Sequence, residues 1–330
     1  MTDPIIQLKQ LSKQFIRNLD FAEKAANLLG AGIKKQVVHA VDDVNLNIFK
    51  GEVIGLVGES GCGKSTLGRM VAGILKQSSG SIRYRGKDIH QLSTEERRRV
   101  QLNIQMIFQD SMSSLNPRMR VRNIIGEGPL VHGLTSQSEM DDYLDNIMIR
   151  VGLDPEFKRR YPHQFSGGQR QRIGIARAIA VKPEFIVCDE SVAALDVSIQ
   201  AQVLNLFMKL REDLQLTYLF ISHDLGVVEH LSDRVVILYL GRVVEIAPTE
   251  ALFEQPNHPY TRVLMAEVPR INLRHRKYSP VAGEIPSPLN PPSGCHFHPR
   301  CQFAEPRCGK EKPLLKEIAS ERFSACHLNE

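Results

Sequence analysis

The chain has no run of eighteen or so consecutive apolar residues, so no segment reads as a membrane-spanning helix, and attachment to a bilayer would have to come through a partner. It also lacks a concentrated basic footprint. A formal charge of +5 arises from 42 Lys and Arg against 37 Asp and Glu, and charge spread in this way argues against a dedicated nucleic-acid binder. The densest charge run, Glu95-Glu96-Arg97-Arg98-Arg99, reads as a solvated helix face. Residues Met1 to Lys9 carry no charged start, apolar stretch or small-residue cleavage site, so the expected compartment is the cytoplasm. The six cysteines are therefore not expected to form disulfides. With 42% apolar residues over 330 positions, there is material for one large core plus an appendage.

Short strands punctuated by turns fill the first hundred residues: Ile5 to Leu11, the alternating Val44 to Ile48, and the fully apolar Val53 to Val57. The stretch Ile16 to Val38 reads as a surface excursion. A helix is expected over Thr66 to Leu75 and a strand over Ser81 to Arg85. Apolar spacings of three and four around Tyr143, Leu144, Ile147, Met148 and Val151 predict a helical region between Asn123 and Tyr161. Beyond it the pattern alternates: helix Gln169 to Val181, strand Phe185 to Cys188, helix Ser198 to Leu214, strand Tyr218 to Ile221. Such alternation predicts an α/β fold with a mostly parallel sheet covered by helices.

Two glycine motifs stand about a hundred residues apart. Gly58-Glu59-Ser60-Gly61-Cys62-Gly63-Lys64-Ser65 follows an apolar strand and precedes a helix. A triphosphate needs donors without desolvated side chains of their own, and backbone N–H groups at a helix start supply them once glycines let the loop curl. Lys64 then reaches the β- and γ-phosphates and the Ser65 hydroxyl ligates Mg²⁺. Asp189 and Glu190 close the strand Phe185 to Cys188, where ligands of open α/β sheets collect. Asp189 is expected to hold the metal through water and Glu190 to polarise the attacking water. Gln109 and His223 also follow apolar strands and are candidates for the edge of this site.

Ser166-Gly167-Gly168-Gln169 opens a second helix that also offers a cradle for an anion. One triphosphate does not need two cradles from one chain. The expected solution is a dimer in which each second cradle closes over the partner's nucleotide.

In these motifs the sequence resembles the ATP-binding cassette family of transporter ATPases over roughly residues 5 to 250. Residues 58 to 65 match its Walker A motif, 165 to 172 its signature and 185 to 190 its Walker B motif with the catalytic glutamate. Gln109 matches the Q-loop, Ala194-Leu195-Asp196 the D-loop and His223 the switch histidine. Phe15 stands where an aromatic ring usually stacks on adenine. Ser191 departs from the usual proline, Ala193 from a small polar residue and Phe165 from leucine; none of these positions carries chemistry. The resemblance implies a RecA-like core with an antiparallel β subdomain and a helical subdomain at about residues 115–180, within a cassette of residues 1–250. It implies an ATP site built from Phe15, residues 58 to 65, Thr66 and Gln109, Mg²⁺ held by Ser65, Gln109 and Asp189, and catalysis by Glu190 and His223.

The tail, with Asn257-His258-Pro259-Tyr260-Thr261 and Pro291-Pro292-Ser293-Gly294-Cys295, resembles the C-terminal extension of oligopeptide and dipeptide importer ATPases and sets residues 251–330 apart. Four cysteines, Cys295, Cys301, Cys308 and Cys326, are spaced without the short knuckles of structural zinc. Clustered thiols in a reducing compartment suggest a soft metal. The resemblance implies a [4Fe–4S] cluster, with Zn²⁺ the alternative and His296, His298 and His327 competing ligands. It further implies a paralogous ATPase as dimer partner, two membrane-spanning permease subunits, a periplasmic or extracellular substrate-binding protein, and a peripheral place on the cytoplasmic face of the inner membrane. Nickel and glutathione importers share the subfamily. A soluble cassette ATPase acting on DNA or ribosomes is the contrasting class, and neither the long coiled coils nor the double cassette of such proteins is present.

Overall fold

The computed structural model describes residues 3–20, 23, 27–30, 32, 35–110, 112–267 and 283–329. Long strands β1 (Ile6–Arg17) and β2 (Gln36–Ile48) open the chain, followed by β3 (Val53–Val57), whose five residues are all buried. Helix α1 (Lys64–Val71) leaves the glycine loop, and β4 (Ser79–Tyr84) and β5 (Lys87–Asp88) complete a four-stranded antiparallel sheet in the order β2-β1-β4-β5. The β1–β2 ladder runs out to Arg17 opposite Gln36. Only the two ends of the expected excursion, residues 16–17 and 36–38, are therefore strand, while residues 21–22, 24–26, 31 and 33–34 of it lie outside the described residues.

Helix α2 (Thr94–Asn103) buries none of its residues, and its N-terminus is closed by a reciprocal Ser93–Glu96 capping box. The run Glu95 to Arg99 thus lies on a solvated helix. After β6 (Ile104–Ile107) come α3 (Val121–Val131) and α4 (Met140–Arg150), then α5 (Gly167–Ile179). Leu144, Ile147 and Met148 face inward with Ile124, Ile125, Phe165 and Ile173 in one apolar cluster, so the spacing of three and four serves core burial.

The central strands of the main sheet, β3, β7 (Phe185–Asp189) and β8 (Thr217–Ile221), are buried along their whole length. β7, α6 (Val197–Leu214), β8, α7 (Leu225–Leu231), β9 (Arg234–Tyr239) and β10 (Arg242–Pro248) follow in order. Every residue of β7 and β8 is buried, as parallel strands covered on both faces require. Two short helices, α8 (Thr249–Glu254) and α9 (Pro259–Glu267), precede β11 (Lys316–Ala319) and β12 (Arg322–Ser324).

The resulting eight-stranded order is β11-β12-β10-β9-β3-β8-β7-β6. β12 joins the sheet through Glu245 opposite Ser324 and Ile246 opposite Phe323. Strands from the tail therefore extend the same sheet that carries the glycine loop. Among the described residues no helix is long and apolar enough to cross a membrane.

Candidate nucleotide site

The loop between β3 and α1 is seated so tightly that two of its glycines admit no side chain. A Cβ on Gly58 would lie 2.1 Å from the Leu238 carbonyl oxygen, and one on Gly63 would lie 2.1 Å from that of Ala40. Gly63, the N-cap of α1, also has φ 107°, a left-handed value that glycine adopts without strain. Both ends of the loop thus pack against β9 and β2 while Ser60 and Gly61 stay exposed at its crest.

Lys64 is only 5% exposed, and its ammonium donates to the carbonyls of Gly58 at 2.7 Å and Glu59 at 3.0 Å. Ser65 Oγ donates to Asp189 Oδ1 at 2.8 Å, joining the loop to the end of β7. Burial raises the Asp189 carboxyl above the ordinary carboxylate range, while the Ser65 hydroxyl pulls it down. A hydroxyl and a carboxylate at this spacing are the hard oxygen ligands that Mg²⁺ takes alongside phosphate oxygens and water.

Glu190, directly after β7, has φ 45°, a left-handed conformation that costs a non-glycine residue about 1–3 kcal/mol. Its N–H donates to the Ile221 carbonyl at 3.0 Å, tying the turn to β8. Gln109 Nε2 donates to Glu190 Oε2 at 2.6 Å, and His223 Nδ1 lies 3.5 Å from Glu190 Oε1. The histidine is set by its neighbours: Asp224 caps α7 through the N–H groups of Gly226 and Val227. A carboxylate held between an amide and an imidazole at a strand end has the arrangement of a general base.

Contacts thus link Lys64 with Gly58 and Glu59, Ser65 with Asp189, and Gln109 and His223 with Glu190. Cys62 is buried in the loop, and burial raises its thiol, as befits a packing residue. Thr66 follows in α1. Phe15 is 43% exposed on β1 opposite Val38, two residues from the Ala40 that abuts Gly63, and the Lys13 ammonium lies 5.0 Å from its ring centroid.

The second motif starts a different helix. Ser166 caps α5 in a box with Gln169, the serine accepting from Gln169 N at 3.3 Å and Gln169 Oε1 accepting from Ser166 N at 3.0 Å. A Cβ on Gly168 would lie 2.4 Å from Ile199 Cγ2, so that glycine is required by the packing of α5 on α6, while the nearest atom for one on Gly167 is Leu195 Cδ2 at 3.8 Å. Phe165 packs edge to face on Phe157, with centroids 5.8 Å apart, in the helical core.

The expected iron–sulfur or zinc centre is not borne out. Among the described residues no group of three or more His, Cys, Asp or Glu is arranged to hold a metal ion. Cys295, Cys301, Cys308 and Cys326 line one small apolar pocket with Phe297 and Leu328. Burial raises the Cys295 thiol to about 11 and also raises Cys301 and Cys326, which favours neutral thiols. The histidines are engaged with backbone: His296 with the Leu240 carbonyl, His298 with Cys295 and His327 with Glu311. Cys295 and Cys301 pack against the apolar group around Tyr260 and Phe297.

Sequence reasoning gave no role to Tyr260 or Arg300, both of which touch Glu59 of the loop. Partners 201 and 241 residues away leave no local signal.

The parallel strands β6, β7, β8, β3 and β9, the glycine loop and the carboxylates at the end of β7 define an ATP-binding cassette. Residues 41–193 match the ABC transporter family and residues 244–308 match the oligopeptide/dipeptide transporter C-terminal region. The chain is 48% identical to the oligopeptide transport ATP-binding protein AppF of Bacillus subtilis over 99% of its own length and 98% of that protein's. It is likewise 48% identical to the oligopeptide transport ATP-binding protein OppF of Salmonella typhimurium, covering 85% of each chain. Among solved structures, cbiO1 of Clostridium perfringens, part of the ABC transporter complex cbiONQ, has a TM-score of 0.63 at 27% identity, over 77% of this chain and 92% of that one. The post-hydrolysis dimer of the ATP-binding cassette MJ0796 bound to ADP and Pi has a TM-score of 0.62 at 26% identity, over 74% of this chain and 98% of that one. The chain belongs to the ABC transporter family, in its oligopeptide/dipeptide transporter branch.

Proposed function

We propose that this protein is the ATP-hydrolysing subunit that energises import of di- and oligopeptides by a binding-protein-dependent ABC transporter. Its membership of the oligopeptide/dipeptide branch supports the cargo class over nickel or glutathione. The observation that carries the chemistry is Glu190, held between Gln109 and His223 beside the Ser65–Asp189 pair.

In this reading residues 1–250 form the cassette and 251–330 the extension. Residues 58 to 66 cradle the phosphates and Phe15 receives the adenine. Lys64 turns from its own loop carbonyls toward the β- and γ-phosphates. Ser65, Gln109 and Asp189 would hold Mg²⁺, which would neutralise charge on the phosphate oxygens. Glu190 orients the attacking water and takes its proton, with His223 at the edge of the site.

Ser166, Gly167, Gly168 and Gln169 face a second cassette's nucleotide, so the active unit is a dimer with a paralogous ATPase. The dimeric state of the MJ0796 cassette bound to ADP and Pi supports a pairing of two cassettes. The dimer works on the cytoplasmic face of the inner membrane, peripheral to two permease subunits that accept peptide from a substrate-binding protein. The test is ATP-dependent uptake of labelled peptide into vesicles holding the reconstituted complex. Uptake that proceeds without this subunit, or hydrolysis indifferent to peptide-loaded binding protein, contradicts the proposal.

A further inference from the structure

One residue of the phosphate loop is gripped on three sides. The Glu59 N–H donates to Tyr260 Oη at 2.9 Å, and the Glu59 carboxylate accepts from both terminal nitrogens of Arg300, at 2.9 and 3.0 Å. The Glu59 carbonyl accepts from Lys64 Nζ at 3.0 Å. A single residue therefore joins the lysine of the ATP site to two side chains supplied by the tail.

Those two side chains are themselves fixed. Tyr260 is fully buried, and its ring centroid lies 4.6 Å from that of Tyr239 and 5.4 Å from that of Phe297. Its N–H donates to Nδ1 of the buried His258 at 3.1 Å. The Arg300 side chain is only 6% exposed, with its guanidinium carbon 5.8 Å from the ring centroids of both Tyr239 and Phe297. Arg300 also donates to Tyr239 Oη at 3.3 Å, and Tyr239 ends β9. A bidentate guanidinium–carboxylate pair fixes orientation as well as charge.

The charge matters because of where Glu59 sits. A carboxylate directly after the first glycine of a phosphate cradle opposes the binding of a polyanion. Paired with Arg300, it becomes a neutral handle on the loop. We propose that Arg300 and Tyr260 are positioning residues of the ATP site, holding the loop's backbone in place through Glu59 and cancelling the negative charge that Glu59 would otherwise present to the phosphates. The inference rests on the ATP site assigned above, and it makes the tail part of that site.

The experiment is titration of the full chain with fluorescent N-methylanthraniloyl-ATP, and with adenosine as competitor. Arg300→Met is expected to weaken ATP binding on the order of tenfold, through repulsion between the phosphates and an unpaired Glu59 carboxylate, with little change for adenosine. The Glu59→Gln/Arg300→Met double variant is expected to recover most of that loss, because no unpaired carboxylate remains. Tyr260→Phe keeps the aromatic block, removes only the hydrogen bond to Glu59 N, and is expected to weaken ATP binding roughly threefold. Should Arg300→Met not fold, Tyr260→Phe still decides the positioning claim. Wild-type affinity for ATP in Tyr260→Phe and in folded Arg300→Met overturns the inference alone. A double variant as weak as Arg300→Met overturns the electrostatic part. A wild-type chain that binds no ATP overturns the underlying site as well.

Discussion

Gln109 and Glu190, 81 residues apart in sequence, are joined by a 2.6 Å hydrogen bond that ties the end of edge strand β6 to the end of β7. The amide donates to the carboxylate oxygen not facing His223, so it fixes the rotation of the carboxylate as well as its position. Gln109→Ala is expected to lower the hydrolysis rate roughly tenfold, as loss of orientation of a base commonly does. ATP affinity is expected to change much less, and steady-state hydrolysis with parallel binding titrations separates the two.

Lys64 is the one ammonium buried in the loop, held by two carbonyls that, in the proposed function, it leaves for phosphate. Lys64→Ala is expected to weaken ATP binding roughly ten- to a hundredfold, the value of charge-assisted hydrogen bonds to phosphate. Ser65→Ala removes the hydroxyl bonded to Asp189 and is expected to raise the Mg²⁺ concentration needed for half-maximal hydrolysis. Binding titrations and a magnesium series check both.

The elements that carry this site were legible because they are extreme in composition. β3, β7 and β8 are runs buried on both faces, and the polar residues that end or follow them stand out against the apolar background. The β1–β2 ladder beyond Leu11 was not legible. Its outer residues are largely exposed, so Lys, Gln and Arg stand where alternation would have marked a strand. β11 and β12 are a four-residue and a three-residue strand at the sheet edge, too short to show a period. The four cysteines mislead because both their clustering and the resemblance imply a metal centre, whereas their thiols line an apolar pocket and desolvation favours the neutral form of Cys295. The Glu59–Arg300 pair joins residues 241 apart and could come only from the folded chain.

Gly58 tolerates no side chain because the atom in the way is a backbone carbonyl, which cannot rotate aside. Gly58→Ala is expected to destabilise the fold by about 1–3 kcal/mol, the usual result of overpacking. Because the displaced segment is the phosphate loop itself, ATP affinity is expected to fall with it. Denaturant unfolding and nucleotide titration of the same preparation give both numbers.

Two buried histidines make the fold acid-sensitive. Burial lowers His258 from 6.5 to about 3 and His296 from 6.5 to about 4. The folded state therefore keeps both neutral where the unfolded chain has already taken up protons. Their contribution to stability is full above pH 6.5 and is lost as pH falls toward 3–4. Between pH 7.5 and 5 the melting temperature is expected to drop by roughly 3–6 °C from these two groups. Thermal melts across that range check the sign, and His258→Gln is expected to make the slope shallower.

The proposed role of Glu190 in the ATP hydrolysis that powers peptide uptake is open to one paired measurement. ATP hydrolysis and labelled-peptide uptake are measured in vesicles containing the complete importer, with wild-type subunit and with Glu190→Gln. Both rates are expected to fall at least about a hundredfold in the variant, the usual loss for a general base, while ATP binding persists. Hydrolysis or peptide uptake at the wild-type rate in Glu190→Gln vesicles contradicts the account.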